Sequence, residues 1–382
     1  MKDDYSGINT LFLHAAGDQD PATGALSTPI YQVSTFHRDA DNPSDYEYSR
    51  SANPTRDVLE EYIAKVEGGI RGYAFSSGMA AISTILFIFF PGDHILAGKD
   101  IYGGSYRILT QVFKQWQLEV DFVDITDIET VKKAVKPNTK AIFFEIVSNP
   151  FQKIADLKSI LAICREKGLL SIIDNTFLPP YYCRPLELGA DIVLHSATKF
   201  LNGHSDVVAG VAAAKDPVLA KKIGFMQNAV GAVLGPQDSW LLLRGLKTLG
   251  VRMERQEKSA QKIAPWLLEQ SWVKKVYYPG LPGHPGKTLL ENISTGYGAI
   301  ITFEVTTSAV KNNLMQKLSL PAVAVSLGAV ESILTHPATM SHASMPKAVR
   351  EELGICDNLF RLSVGLEDPE DLVKDFLTAV ES

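Results

Sequence analysis

The sequence predicts an α/β protein, with a large domain built on a mostly parallel sheet followed by a smaller C-terminal α+β domain. Two observations carry this expectation. From about residue 51 to residue 245, apolar β-type runs alternate with amphipathic ones, the pattern of a parallel sheet covered by helices on both faces. In addition, Asn149, Asp174 and Ser196 each stand just past the C-terminal end of such a run. Open α/β sheets bind ligands at that edge, so residues far apart in sequence converge there.

Taken in order, residues 1–50 are rich in Pro, Ser, Thr, Asn and Asp with little periodicity. They read as an extended arm, better suited to lie on another surface than to form a core. Residues 51–245 form the main domain. Its greasiest run, Ile85 to Phe90, stops at Pro91-Gly92, is too short to span a bilayer and reads as a buried helix end. Leu118–Val123 reads as strand, Asp127–Val135 as helix, Ala141–Val147 as strand, Asp156–Lys167 as helix and Leu169–Ile173 as strand. A helical stretch from Trp240 to Leu268 leads into the third region, 246–382. Its strands include Ala299–Val305 and Phe360–Val364, and its last helix opens with Asp368 as N-cap and Pro369 at the first position.

The 382 residues suffice for two domains with substantial cores. A net charge of -6 offers no basic footprint for nucleic acid or anionic lipid. Cys164, Cys183 and Cys356 are too dispersed for a disulfide framework or a zinc site, which fits a reducing cytoplasm. No His-Glu-x-x-His or paired-cysteine motif occurs, so no metal is expected. Met1–Tyr5 lacks the basic-then-apolar pattern of a signal peptide.

The chemistry concentrates in His195–His204. Lys199 follows the strand-like Ile192–Leu194 among small hydroxyl residues, a setting in which a lysine is desolvated and serves as an amine nucleophile. Asp174 ends another apolar run. Taken singly, these are a loop lysine and a turn cap. Together they are the Schiff-base amine and the pyridinium partner that pyridoxal phosphate requires of a protein. Ser76 to Ala81 turns a strand into a helix start with amides open to a phosphate, although Ser-Gly there is also common capping. Ser196 and Thr198 offer hydroxyls to the same phosphate, and Arg50 in Tyr48-Ser49-Arg50 offers a two-pronged clamp. Tyr102, before Gly103-Gly104, is placed to stack on a planar ring. Arg361 sits inside an apolar run and needs a partner, either a substrate carboxylate or an internal ion pair.

Two rival motifs fail in detail. Ser196-Ala197-Thr198-Lys199 fits the Ser-x-x-Lys of acyl-enzyme hydrolases, but the companion Ser-Asp-Asn and Lys-Thr-Gly motifs do not occur. Gly280–Thr288 imitates a nucleotide-binding loop with its glycine spacing one residue too long, and Pro282 and Pro285 remove amides.

The motifs Tyr48-Ser49-Arg50, Asn53-Pro54-Thr55, Ser76–Ala80, Tyr102-Gly103-Gly104, Ser148-Asn149-Pro150, Asp174–Phe177, His195–Lys199 and Ser326-Leu327-Gly328 together resemble the Cys/Met-metabolism family of pyridoxal-phosphate enzymes, end to end. The resemblance implies an aspartate-aminotransferase-like fold and a homotetramer of two dimers that share active sites. It implies Lys199 as the cofactor's covalent anchor, Asp174 beneath the pyridine nitrogen and Tyr102 stacked on the ring. The Gly78 and Met79 amides, Ser196 and Thr198 would hold the phosphate, and Tyr48 and Arg50 that of a neighbouring subunit. Asn149 would bond near the cofactor's 3′-oxygen. Ser326 and Arg361 would hold the substrate carboxylate, with Asn149 and Glu331 also facing the substrate. Gly104 stands where the methionine γ-lyase branch has cysteine. Ala324–Leu334 with Met340–Ala343 is most similar to cystathionine β-lyases of Gram-positive bacteria, while the acidic Glu331 is also a feature of γ-lyases and γ-synthases. The expectation is therefore β-cleavage of cystathionine to homocysteine, pyruvate and ammonia, with γ-lyase or γ-synthase as the alternative.

Overall fold

The computed structural model describes residues 7–17, 19–20, 22–38, 46–343 and 346–381. The N-terminal stretch tested for a signal peptide, and residues 39–45 of the arm, lie outside these. Twelve strands occur among the described residues: β1 (Arg71–Phe75), β2 (His94–Gly98), β3 (Glu119–Val123), β4 (Thr139–Glu145), β5 (Leu170–Asp174), β6 (Ile192–Ser196), β7 (Gly210–Ala214), β8 (Val273–Tyr277), β9 (Ile300–Val305), β10 (Ala322–Val323), β11 (Ile333–Thr335) and β12 (Leu359–Ser363).

The chain divides into two compact units. The first contains the described residues up to Phe90, Leu170–Pro180 and Arg184–Gly250. In it β5 and β6 pair in parallel, β6 and β7 antiparallel, and β7 and β1 antiparallel. Helix Pro54–Glu67 starts where the Asn53 side chain accepts from the Thr55 amide, with Pro54 in the first turn. It buries Leu59, Tyr62, Ile63 and Val66. Part of the expected arm is a short helix, Ile8–His14. Phe12 is buried, and its carbonyl accepts from the Tyr62 hydroxyl at 2.7 Å. The weak periodicity of residues 1–50 concealed this anchor, which Lys65 reinforces by donating to the Ala15 carbonyl at 2.9 Å.

The second unit contains Pro91–Leu169, Tyr181–Cys183 and the residues from Val251 onward. Here β2 pairs in parallel with both β3 and β4. A separate five-stranded sheet runs in the order β10-β11-β12-β9-β8. Its core includes Trp272, Phe303, Phe360 and Phe376, with the Trp272 and Phe376 rings stacked at 6.4 Å.

Three expectations need adjustment. The helical stretch from Trp240 to Leu268 is two helices, Pro236–Leu246 and Leu249–Leu268. Both the amide and the hydroxyl of Thr248 donate to the Gly245 carbonyl, which closes the first helix. The run Ile85–Phe90 is helical and buried only through Leu86; Phe90, ahead of Pro91, is 74% exposed. The strand expected to reach Val147 ends at Glu145, because the chain folds back: the Ser148 amide donates to Lys153 and the Ala155 amide to Ile146. No helix among the described residues is long and apolar enough to cross a membrane.

Candidate active site

The first unit builds its cluster at the C-terminal ends of β5 and β6. Helix Gly78–Leu86 begins beside them, with Ser77 as N-cap accepting from the Ala80 amide. The Gly78 and Met79 amides lie in the first turn, where no intrahelical acceptor exists, at the positive end of the helix dipole. A Cβ at Gly78 would lie 3.0 Å from Ser196 Cβ and 3.2 Å from its hydroxyl oxygen. At Gly210 it would lie 2.2 Å from the Ser77 carbonyl. Glycine is required at Gly210 for the start of β7 to approach the helix start, and Gly78 lets that helix start pack closely on Ser196 at the end of β6. The meeting leaves amides and a hydroxyl converging, a donor set that fits a phosphate.

Asp174 is the last residue of β5 and is 8% exposed. Its Oδ1 accepts from the Thr176 amide at 3.0 Å and the Thr176 hydroxyl at 2.5 Å. Burial pushes this carboxyl up from its ordinary value, while the Thr176 donors and the His195 ring pull against that shift. A buried carboxylate of this kind suits a protonated ring nitrogen. His195 Nε2 lies 2.6 Å from Glu67 Oε1, and both side chains are fully buried. Lys199 sits in the turn after β6, partly buried, with its amide donating to the Ser196 carbonyl. Thr198 is engaged elsewhere: its hydroxyl accepts from the Ala209 amide at 3.0 Å and donates to the Ala209 carbonyl at 3.2 Å. Tyr48 is 47% exposed, with the Arg50 guanidinium 5.7 Å from its ring centroid. Arg50 also donates to the Asn228 carbonyl at 3.3 Å.

The second unit builds its cluster around Arg361, on β12 and 2% exposed. Its Nη1 donates to Asn149 Oδ1 at 3.0 Å, and its Nη2 to the Ser326 carbonyl at 2.8 Å and to Thr335 Oγ1 at 3.2 Å. Burial draws the guanidinium down to about 10, with the nearby Tyr102 hydroxyl and the Glu145 carboxylate pulling the other way. Tyr102 precedes helix Gly103–Arg107, is 41% exposed, and donates its amide to Glu145 Oε1 at 2.7 Å. His342 bridges Ser341 Oγ at 2.9 Å and the Asn149 carbonyl at 3.3 Å. Burial, then the Arg361 charge, lowers it to about 4, so the ring is neutral. Glu331 is exposed. Arg361, Asn149, Ser326 and Tyr102 thus belong to one neighbourhood.

Thr176, Glu67, Thr335, Glu145 and His342 carried no assigned role in the sequence. Thr176 was within reach, since a donor two residues after an aspartate is the spacing of an Asx turn. Glu145 was also signalled, as a charge inside an apolar run. The others act through long-range contacts with no local signature.

The family model for Cys/Met metabolism PLP-dependent enzymes matches residues 9–381. The chain is 52% identical to the cystathionine beta-lyase MetC of Bacillus subtilis, an alignment covering 98% of this chain and 96% of that one. It is 49% identical to the cystathionine gamma-lyase of the same organism, over 98% of this chain and 99% of that one. Among solved structures, the cystathionine gamma-lyase from Lactobacillus plantarum complexed with L-serine superposes with a TM-score of 0.96 at 44% identity, covering 98% and 99% of the two chains. With Lys199 at a strand end, a buried Asp174 and a helix-start cradle already in place, these matches identify the chain: it belongs to the Cys/Met-metabolism family of pyridoxal-phosphate-dependent enzymes.

Proposed function

We propose that this protein is a cystathionine β-lyase, cleaving L-cystathionine to homocysteine, pyruvate and ammonia. The observation that carries the specificity is the full-length 52% identity to a relative of that name. The γ-lyase reading stands second, on the 49% identity to a relative named for that reaction.

We assign roles to the residues of the two clusters by the family resemblance. The Gly78 and Met79 amides and Ser196 hold the phosphate, with Thr198 joining them by giving up its bond to Ala209. Asp174 pairs with the ring nitrogen, Tyr102 covers the ring and Asn149 serves the 3′-oxygen. Bound pyridoxal phosphate supplies an electron sink for the charge that builds at the substrate Cα. Lys199, its amine released by the substrate, takes the Cα proton. Arg361, with Ser326 beside it, fixes the substrate carboxylate so that this proton faces the amine. Tyr102 assists proton transfer from the incoming amine. The exposed Glu331 faces the remainder of the substrate. For γ-cleavage Lys199 must also reach Cβ.

Incubating purified enzyme with L-cystathionine tests the choice. Pyruvate with homocysteine is the expected result; exclusive 2-oxobutyrate with cysteine replaces it with the γ-lyase reading. We further place the enzyme in the cytoplasm, where three free cysteines are stable, as a homotetramer of two dimers. The exposed Tyr48 and Arg50 complete a neighbouring subunit's phosphate site. Mixed Arg50→Ala and Lys199→Ala chains should regain activity on exchange, and no recovery despite exchange contradicts a shared site.

A further inference from the structure

A hydrogen-bond relay ties the two poles of the first unit's cluster together. The Ser196 amide donates to Thr176 Oγ1 at 2.9 Å. The Thr176 hydroxyl donates in turn to Asp174 Oδ1 at 2.5 Å, the length of a bond to an ionised oxygen. An ionised carboxylate can only accept, so the hydroxyl proton goes to Asp174 while an oxygen lone pair accepts the Ser196 N–H. The Thr176 amide adds a second bond to the same Oδ1 at 3.0 Å. Both bonds fall on one oxygen and fix the plane of the carboxylate. Ser196, at the other end of the relay, is the residue that closes on Gly78 at the helix start.

We propose that Thr176 is a positioning residue: it keeps the Asp174 carboxylate ionised and aimed at a protonated ring nitrogen, at a distance set by Ser196 beside the phosphate cradle. This rests on Asp174 being the nitrogen partner. Burial works against the charge of Asp174, and the Thr176 hydroxyl supplies the strongest local bond opposing it. A plain loop brace is the rival role, since Thr176 lies in a turn that the Asn175 amide, donating to Leu194, and the Leu178 amide, donating to Asn175, also hold. The two roles predict different ligand preferences.

The test compares affinities of the full-length protein, stripped of cofactor, for pyridoxal phosphate and for its analogue with C–H in place of the ring nitrogen. Binding is followed by visible absorbance in wild type, Thr176→Val, Thr176→Ser and Asp174→Asn. Wild type should prefer the natural cofactor and Asp174→Asn should lose the preference. Thr176→Val should cut it about tenfold, the size of one charge-assisted hydrogen bond, with Thr176→Ser restoring it. Equal losses for both ligands in Thr176→Val, or no loss for either, overturn the positioning role while Asp174 keeps its own. A preference that survives in Asp174→Asn overturns both assignments.

Discussion

Asp174 and Arg361 are each buried charges, one in each unit, and they are supported in opposite ways. Asp174 takes both donors from a residue two positions away, so its support is local. Arg361 donates to Asn149, Ser326 and Thr335, three segments brought together only by the tertiary fold. Burial opposes the charge in both cases, raising the carboxyl and lowering the guanidinium to about 10. In both, neutral dipoles share the task of holding it. The two sites are therefore vulnerable in different places: the anion's geometry survives as long as one turn does, whereas the cation's geometry depends on the packing of a whole unit.

Substitutions test this contrast. The largest effect is expected for Asp174→Asn. The amide oxygen can still accept from Thr176, so the turn should persist while the charge is lost. The turnover number should fall about 10²–10³-fold, the scale of a removed preorganised electrostatic group. Steady-state kinetics showing a near-normal turnover number would contradict the role.

Arg361→Lys should come next. It keeps the charge but loses the fork that reaches three acceptors at once. We expect kcat/KM to drop roughly 10- to 100-fold, chiefly through KM, matching about 1.5–3 kcal/mol for a charge-assisted bond. An unchanged KM would show that the guanidinium is structural.

The smallest effect concerns His342, which holds the Asn149 carbonyl. Its folded value of about 4 lies below the ordinary 6.5. Below pH 6.5 the unfolded chain therefore takes up a proton that the folded one refuses. Stability is fully present above pH 6.5 and is lost as pH falls towards 4, by about 1 kcal/mol at pH 5.5. Urea unfolding of His342→Gln should show an acid-side loss smaller by that amount; an identical pH dependence would remove the residue from the account.

The same contrast explains what was legible in the sequence. Helix Leu157–Lys167 and β3, β5, β9 and β12 fall within a residue or two of their expected places, because their periodicity and caps are local. The strand-end places of Asp174 and Ser196 were readable for the same reason, as polar residues that end apolar runs, with Lys199 in the turn that follows. Arg361 announced itself as a charge in a strand, but the parts that Thr335 and His342 play around it were not legible, since their contacts span 26 and 193 residues. The helix Ile8–His14 was missed because its anchoring rests on Phe12 and on Tyr62, fifty residues away.

The account stands most directly on Lys199 as the lysine that carries the cofactor. Reducing the yellow holoenzyme with borohydride and mapping its peptides by mass spectrometry would read this out. The account predicts a pyridoxyl-phosphate label on Lys199 alone; a label on any other lysine, or a fully reduced protein with Lys199 unmodified, would contradict it.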